Sequence, residues 1–184
     1  MLISGEGTNL QALLDDPEID VACVLSSRPG APGLERAARA DVPAMVVVDP
    51  EEIAAALGPY EVEVVVLAGY MRILPPTVLG QYPDRVVNVH PSLLPAFPGA
   101  TAVQDALAYG VRVTGVTVHL VDEGVDTGPV VLQEAVDVSY DDSPSELLER
   151  LHGVERRLLP EAVRLIAAGR VEVDGRHVRV GEHR

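Results

Sequence analysis

The order of apolar runs along the chain predicts an α/β fold: a Rossmann-like, open, mostly parallel, doubly wound sheet with antiparallel strand(s) in its C-terminal half. Three observations carry this reading. Short apolar runs alternate with helical stretches through the first 110 residues. Two longer apolar runs then follow each other with only a loop between them. Glycine- and proline-rich polar segments stand just past the runs, where an open α/β sheet exposes its reactive groups.

The apolar runs are Met1–Ser4, Asp20–Ser26, Ala44–Val48, Val62–Ala68 and Val86–His90, and the helical stretches between them include Leu10–Asp15, Gly33–Ala40, Glu51–Leu57 and Ala102–Tyr109. The first run is short for a central strand, so the expectation is a start a few residues further upstream. Val113–Val121 and Val130–Val138 have no helix between them, so at least one should be antiparallel. Ser143 is a good N-cap, Pro144 suits the first helical position and Glu146 completes a capping box. The apolar positions Leu147, Leu148, Leu151, Val154, Leu158, Ala162, Leu165 and Ile166 keep the helical period. They predict a core-facing helix over about 143–169, which Pro160 is expected to kink or break. Val171–Val173 and His177–Val180 flank Asp174-Gly175, a two-residue hairpin signal over about 171–180. Residues 1–184 read as a single domain without repeats or linkers.

Composition narrows the function classes. A hydrophobic share of 47% with only 3% aromatics implies a core of Val, Leu, Ala and Ile, as in a buried parallel sheet. The formal charge of −14 repels polyanions and argues against nucleic acid or an acidic membrane as partner. All 14 cations are arginine, which removes Schiff-base lysines and a P-loop lysine. No apolar run approaches the ~18–20 residues needed to span a bilayer, and no basic leader precedes a cleavage site. The single Cys23 lies in an apolar run and reads as a core thiol, leaving no internal disulfide and no cysteine metal cluster. A cytoplasmic protein acting on small molecules is the default, as a monomer or weak homodimer, and no metal-ligand cluster is evident.

Four segments carry chemistry. Ser4-Gly5-Glu6-Gly7-Thr8-Asn9 joins the first strand to the first helix, where converging N–H groups can hold an anion. Position 10 is Leu, so the dinucleotide fingerprint is incomplete and a monophosphate fits better. The plainer alternative is a capped turn with Thr8 or Asn9 as N-cap. Asn88-Val89-His90-Pro91-Ser92-Leu93-Leu94-Pro95 ends the fifth run. Asn88 and His90 alternate and so share one face, and the Leu94-Pro95 bond is a candidate for cis geometry. Asp126, 36 residues after His90, lies in the turn-forming stretch Asp122-Glu123-Gly124-Val125-Asp126-Thr127-Gly128-Pro129. An amide, an imidazole and a carboxylate are together a kit for acyl transfer to an amine. His119 stands among apolar strand neighbours, either as a satisfied core histidine or in support of the pocket. Gly69-Tyr70-Met71-Arg72-Ile73-Leu74 follows the fourth run and leads to a helix opening at Pro75-Pro76; it could line a flat heterocycle pocket. His177 and His183 are assigned no role.

These four segments, in this order over residues 1 to about 165, resemble the folate-dependent phosphoribosylglycinamide formyltransferases of purine synthesis. The Asn-x-His-Pro-Ser-Leu-Leu-Pro segment is shared with formyl-folate hydrolases and methionyl-tRNA formyltransferases, so it specifies formyl chemistry; the glycine loop specifies the acceptor. The resemblance implies a formyltransferase fold and a catalytic set of Asn88, His90 and Asp126, supported by His119. It implies nucleotide contacts at Gly7, Thr8, Asn9, His152, Gly153, Val154 and Glu155. It implies a folate pocket of Met71, Arg72, Ile73, Leu74, Asn88, Asp122, Glu123, Gly124, Val125 and Asp126, with 10-formyltetrahydrofolate as co-substrate and no metal. Two departures stand out. Asp49–Glu61 is shorter than usual and lacks a basic folate contact, and Gly99-Ala100-Thr101-Ala102 lacks the histidines common after the proline-rich loop. The expected reaction is formyl transfer to the amine of glycinamide ribonucleotide. The competing expectations are a formyltetrahydrofolate hydrolase, which needs no phosphate loop, and a binding module, which leaves the Asn88, His90 and Asp126 set without a task.

Overall fold

The computed structural model describes residues 1–181, and His183 lies outside the described residues. Five strands, β1 (Leu2–Ile3), β2 (Val24–Ser26), β3 (Ala44–Val46), β4 (Val65–Ala68) and β5 (Val86–His90), are mutually parallel. Strand β6 (Val113–Leu120) runs antiparallel to β5, and β7 (Val130–Asp137) antiparallel to β6, so β6 alone opposes the parallel set and β7 points the same way as β5. The seven form one sheet in the order β3-β2-β1-β4-β5-β6-β7. Several strands begin later than their apolar runs. Cys23 is buried ahead of β2 without belonging to it, because apolarity reports burial and not ladder pairing.

Strand alternation sends side chains to two separate cores. Ile3, Val24, Val66, Val87 and Val89 pack with α1 (Thr8–Leu14), α2 (Pro32–Arg39), α5 (Ala102–Tyr109) and α6 (Pro144–Ala167). Leu2, Leu25, Val65, Leu67 and Val86 pack with α3 (Ile53–Leu57) and α4 (Pro76–Gln81). Cover on both faces explains why the parallel strands read as continuous apolar runs. The chain leaves β1 toward β2 and β3 on one side and resumes with β4 and β5 on the other. The carboxyl ends of β1 and β4 therefore flank a topological switch point, where such sheets open a crevice.

Helix α6 starts as its sequence specifies: the Ser143 side chain accepts from the Glu146 N–H and Glu146 reaches back to the Ser143 N–H. The expected break at Pro160 does not occur, and the helix runs 24 residues through it. The lost backbone hydrogen bond and the ring's clash with the preceding turn together cost about 3 kcal/mol. Buried residues on both sides, Leu151, Leu158 and Leu159 before and Ala162, Val163 and Ile166 after, offset that cost. The C-terminal hairpin pairs β8 (Val171–Asp174) with β9 (His177–Val180). Asp174 pairs with His177, so the two-residue loop is Gly175-Arg176 and not Asp174-Gly175. Its first position has φ +59°, which glycine adopts without strain. Among the described residues no helix is long and apolar enough to cross a membrane.

Leu151 is fully buried beneath the centre of the sheet's larger core. Leu151→Ala should lower unfolding free energy by about 2–5 kcal/mol in urea titration. The exposed Glu149→Ala should stay within about 0.5 kcal/mol of wild type.

Candidate active site

The loop between β1 and α1 is shaped by a close approach to α2. Gly7 precedes the helix with φ +69°, and a Cβ there would lie 2.8 Å from the Cα of Gly33. The Gly33 N–H donates to the Gly5 carbonyl (3.1 Å) and Arg36 Nε donates to the Glu6 carbonyl (2.8 Å). Thr8 and Asn9 are the first residues of α1, and neither side chain caps it, which sets aside the N-cap alternative. Asn9 instead donates from Nδ2 to Glu155 Oε2 at 2.8 Å, both residues being buried. Asn9 Oδ1 has no partner among the described residues. His152 and Glu155, three apart on α6, share one face toward this loop. Gly153 and Val154 turn away from it, Gly153 to the surface and Val154 against the core.

Register brings the imidazoles together. In the β5–β6 pair, Asn88 stands opposite His119 and His90 opposite Thr117. An irregularity between Val118 and His119 re-aims β6 at that point. His119 Nδ1 lies 2.8 Å from the Leu120 carbonyl. A carbonyl only accepts, so Nδ1 carries the proton and Nε2 accepts from Asn88 Nδ2 at 3.1 Å. This fixes the Asn88 amide, whose nitrogen also approaches Asp126 Oδ1 at 3.4 Å. His90 places Nε2 at 2.8 Å from the Phe97 carbonyl and Nδ1 at 3.3 Å from Asp126 Oδ2. Both ring nitrogens thus face acceptors, an arrangement complementary to the imidazolium. Both acceptors come from residues in the left-handed backbone region, Phe97 at φ +50° and Asp126 at φ +54°. For non-glycine residues that conformation costs about 1–3 kcal/mol each.

Asp126 also accepts from the Gly99 N–H at 2.7 Å, and its side chain is 12% exposed. His119 is the largest influence holding its carboxyl below the ordinary aspartate range; the Gly99 N–H and the charge of His90 add to it, against the opposing effect of burial. Asp122 organises the turn that carries Asp126, accepting from Thr127 Oγ1 (2.6 Å) and the Gly124 N–H (3.1 Å). Glu123 stands exposed in that turn and does not reach the cavity. The loop after β4 is tied down by a contact absent from the sequence reading: the Met71 N–H donates to Ser4 Oγ (3.1 Å), which is hydrogen-bonded to Ser27 Oγ (2.6 Å). Met71 and Ile73 are exposed while Leu74 anchors the loop in the core.

Thr117 is a further residue the sequence reading passed over. Its hydroxyl donates to the Ser92 carbonyl and accepts from the Leu94 N–H and Gln133 Nε2, fixing the segment after His90. The Leu94-Pro95 bond in that segment is cis. A polar residue two positions before His119 in an apolar strand was the available signal. One cavity of about 860 Å³ unites these pieces. Gly7, Thr8 and Asn9, Met71 to Leu74, Asn88, His90, His119, Asp122, Gly124, Val125, Asp126, His152 and Glu155 all line it. Among the described residues no group of three or more His, Cys, Asp or Glu is arranged to hold a metal ion.

The pH dependence of stability follows from Asp126. An unfolded aspartate titrates near about 3.9, so a group held lower in the fold contributes stability that is complete above that pH and lost as acid protonates the folded protein. The urea midpoint of wild type should exceed that of Asp126→Asn at about pH 6, and the gap should close as pH falls from about 4 to 2. A gap independent of pH would contradict this.

A model of the family described as formyl transferase matches residues 1–163. The phosphoribosylglycinamide formyltransferase of Mycobacterium tuberculosis is 44% identical over 98% of this chain and 90% of its own. The trifunctional purine biosynthetic protein adenosine-3 of Chironomus tentans is 40% identical over 95% of this chain, which spans only 14% of that protein's length. Among solved structures, glycinamide ribonucleotide transformylase 1 from Symbiobacterium toebii superposes with a TM-score of 0.96 at 46% identity, covering 98% of this chain and 92% of that one. A formyltetrahydrofolate deformylase from Pseudomonas syringae superposes with a TM-score of 0.90 at 34% identity, covering 98% of this chain and 64% of the other. With motifs, sheet order and site geometry in agreement, the chain belongs to the formyl transferase family.

Proposed function

We propose that this chain is a phosphoribosylglycinamide formyltransferase, moving the formyl group of 10-formyltetrahydrofolate onto the amine of glycinamide ribonucleotide in purine synthesis. The observation that carries this is the convergence of Asn88, His90 and Asp126 in the same cavity as the Gly7-Thr8-Asn9 loop and Glu155. The reacting groups and a cradle for a phosphorylated acceptor therefore share one space. Residues 1–184 act as one domain in this reading, in the cytoplasm, on small-molecule substrates.

The nucleotide phosphate docks on Gly7, Thr8 and Asn9, and Glu155 takes the ribose hydroxyls. Asn9 Oδ1, buried without a partner among the described residues, is an acceptor, so the group it lacks is a donor such as a ribose hydroxyl and not the phosphate. Met71 to Leu74 and the Asp122–Asp126 turn hold the pterin. The amine attacks the formyl carbon and the carbonyl electron pair moves to oxygen. Asn88 and the His90 imidazolium meet that oxyanion. The Nε2–H of His90 donates to the Phe97 carbonyl, and the formyl oxygen is an acceptor of the same kind that takes its place. Asp126, held as a carboxylate, stabilises the His90 cation. Through water it relays the proton leaving the amine to the folate nitrogen, after which the carbon–nitrogen bond to tetrahydrofolate breaks. A low-lying carboxylate is a weak base, so its charge matters more here than its proton affinity.

The likeness to a formyltetrahydrofolate deformylase favours a second reading in which water is the acceptor. Incubation with 10-formyltetrahydrofolate, with and without glycinamide ribonucleotide, separates the two. Folate product should form only with the nucleotide, and formate release without it would favour hydrolysis. His90→Ala should lower kcat by about 10²–10³ while leaving nucleotide affinity unchanged. Activity within about tenfold of wild type would remove His90 from the mechanism.

A further inference from the structure

The formyl-transfer reading leaves an electrostatic difficulty. The substrate carries a phosphate, yet the chain bears a net charge of −14. The cavity itself is lined by the carboxyl groups of Glu6, Asp122, Asp126 and Glu155 against a single guanidinium, Arg72. An anion entering from solvent moves against that field. Beside α1 lies a second groove of about 660 Å³, lined by Arg36, Arg156, Arg157 and Arg164 together with Asp15 and Asp16. Four of the chain's fourteen cations are gathered there.

Two of the four are neutralised: Arg164 pairs with Asp16, and Arg157 with Glu134 at 2.6 Å. The other two are not. Arg36 touches only neutral acceptors, the Glu6 carbonyl and Gln11 Oε1. Arg156 has no hydrogen bond or ion pair among the described residues. It follows Glu155 by about 100° around α6, so one residue faces the cavity and the next faces the groove. Thr8 lines both spaces, so the groove abuts the phosphate loop, and Arg36 holds that loop by its backbone.

We propose that the arginine groove is the electrostatic entry site for the phosphoryl end of the ribonucleotide, with Arg156 as its unpaired cation; this rests on the formyl-transfer reading above. Arg156 and Arg36 give an incoming phosphate a local attraction beside the loop that receives it, in a molecule that otherwise repels it. The effect is long-ranged and should vanish when salt screens it.

The test is kcat/KM for glycinamide ribonucleotide in wild type, Arg156→Gln and Arg156→Glu. It is read between about 0.01 M ionic strength, where the Debye length is about 30 Å, and about 1 M, where it is about 3 Å. Arg179→Glu on β9 makes the same change in net charge away from the groove. At low salt kcat/KM should fall about threefold to tenfold in Arg156→Gln and further in Arg156→Glu, with kcat at saturation and melting temperature unchanged. The salt dependence should flatten in both, the differences should disappear at high salt, and Arg179→Glu should follow wild type. Unchanged kcat/KM in the Arg156 variants, an equal loss in Arg179→Glu, or a loss confined to kcat would overturn the inference while leaving formyl transfer standing. Absence of nucleotide-dependent turnover in wild type would instead overturn the formyl-transfer reading, and this inference with it.

Discussion

The Asp126 carboxylate faces donors from two separate segments, the Asn88 amide and His90 Nδ1 on β5 and the Gly99 N–H beyond the proline-rich loop, with the His119 ring of β6 beside it. A half-buried carboxylate so placed stays ionised and imposes order on every group around it. It orients the His90 ring, whose other nitrogen is fixed by the Phe97 carbonyl, and it takes one hydrogen of the Asn88 amide while His119 takes the other. Removing its charge would leave several inward-pointing donors without an acceptor, which in a protein interior costs more than the bonds contribute.

The sheet makes that convergence possible. Parallel strands β1, β4 and β5 deliver the glycine loop, the Met71–Leu74 loop and the Asn88/His90 pair to neighbouring positions at the switch point. The reversal of β6 supplies the remainder. Running antiparallel, it passes His90 at Thr117 and Asn88 at His119, and the Asp122–Gly128 turn then folds back so that Asp126 meets both. Thr117 and Gln133 hold the Ser92–Leu94 segment in place. Helix α6 closes the side of the glycine loop, where Glu155 reaches Asn9 across 146 residues of sequence.

Much of this was legible because it is written in local chemistry. The alternation of Asn88 and His90 put both on one face, the Ser143–Glu146 box started α6 where expected, and the absence of a helix between the last long runs foretold an antiparallel strand there. The rest depends on contacts between distant segments. The approach of Gly33 to Gly7, the Ser4 hydroxyl under Met71, the Phe97 carbonyl on His90 and the Gly99 amide on Asp126 leave no periodic signature. Pro160 does not end α6, because the buried stripe on either side outweighs its local cost. Glu123, Gly153 and Val154 belong to the same motifs by sequence but do not line the cavity.

The central claim is that the charge of Asp126, and not merely its shape, makes the site competent. Asparagine tolerates the left-handed backbone at φ +54° and keeps an oxygen for the Gly99 N–H, so Asp126→Asn removes the charge while sparing the turn. Its single-turnover rate of formyl transfer with both substrates saturating is the most direct measurement. The account predicts a fall of about 10²-fold or more in a variant that remains folded and binds the ribonucleotide. A folded Asp126→Asn that turns over within about tenfold of wild type would contradict it.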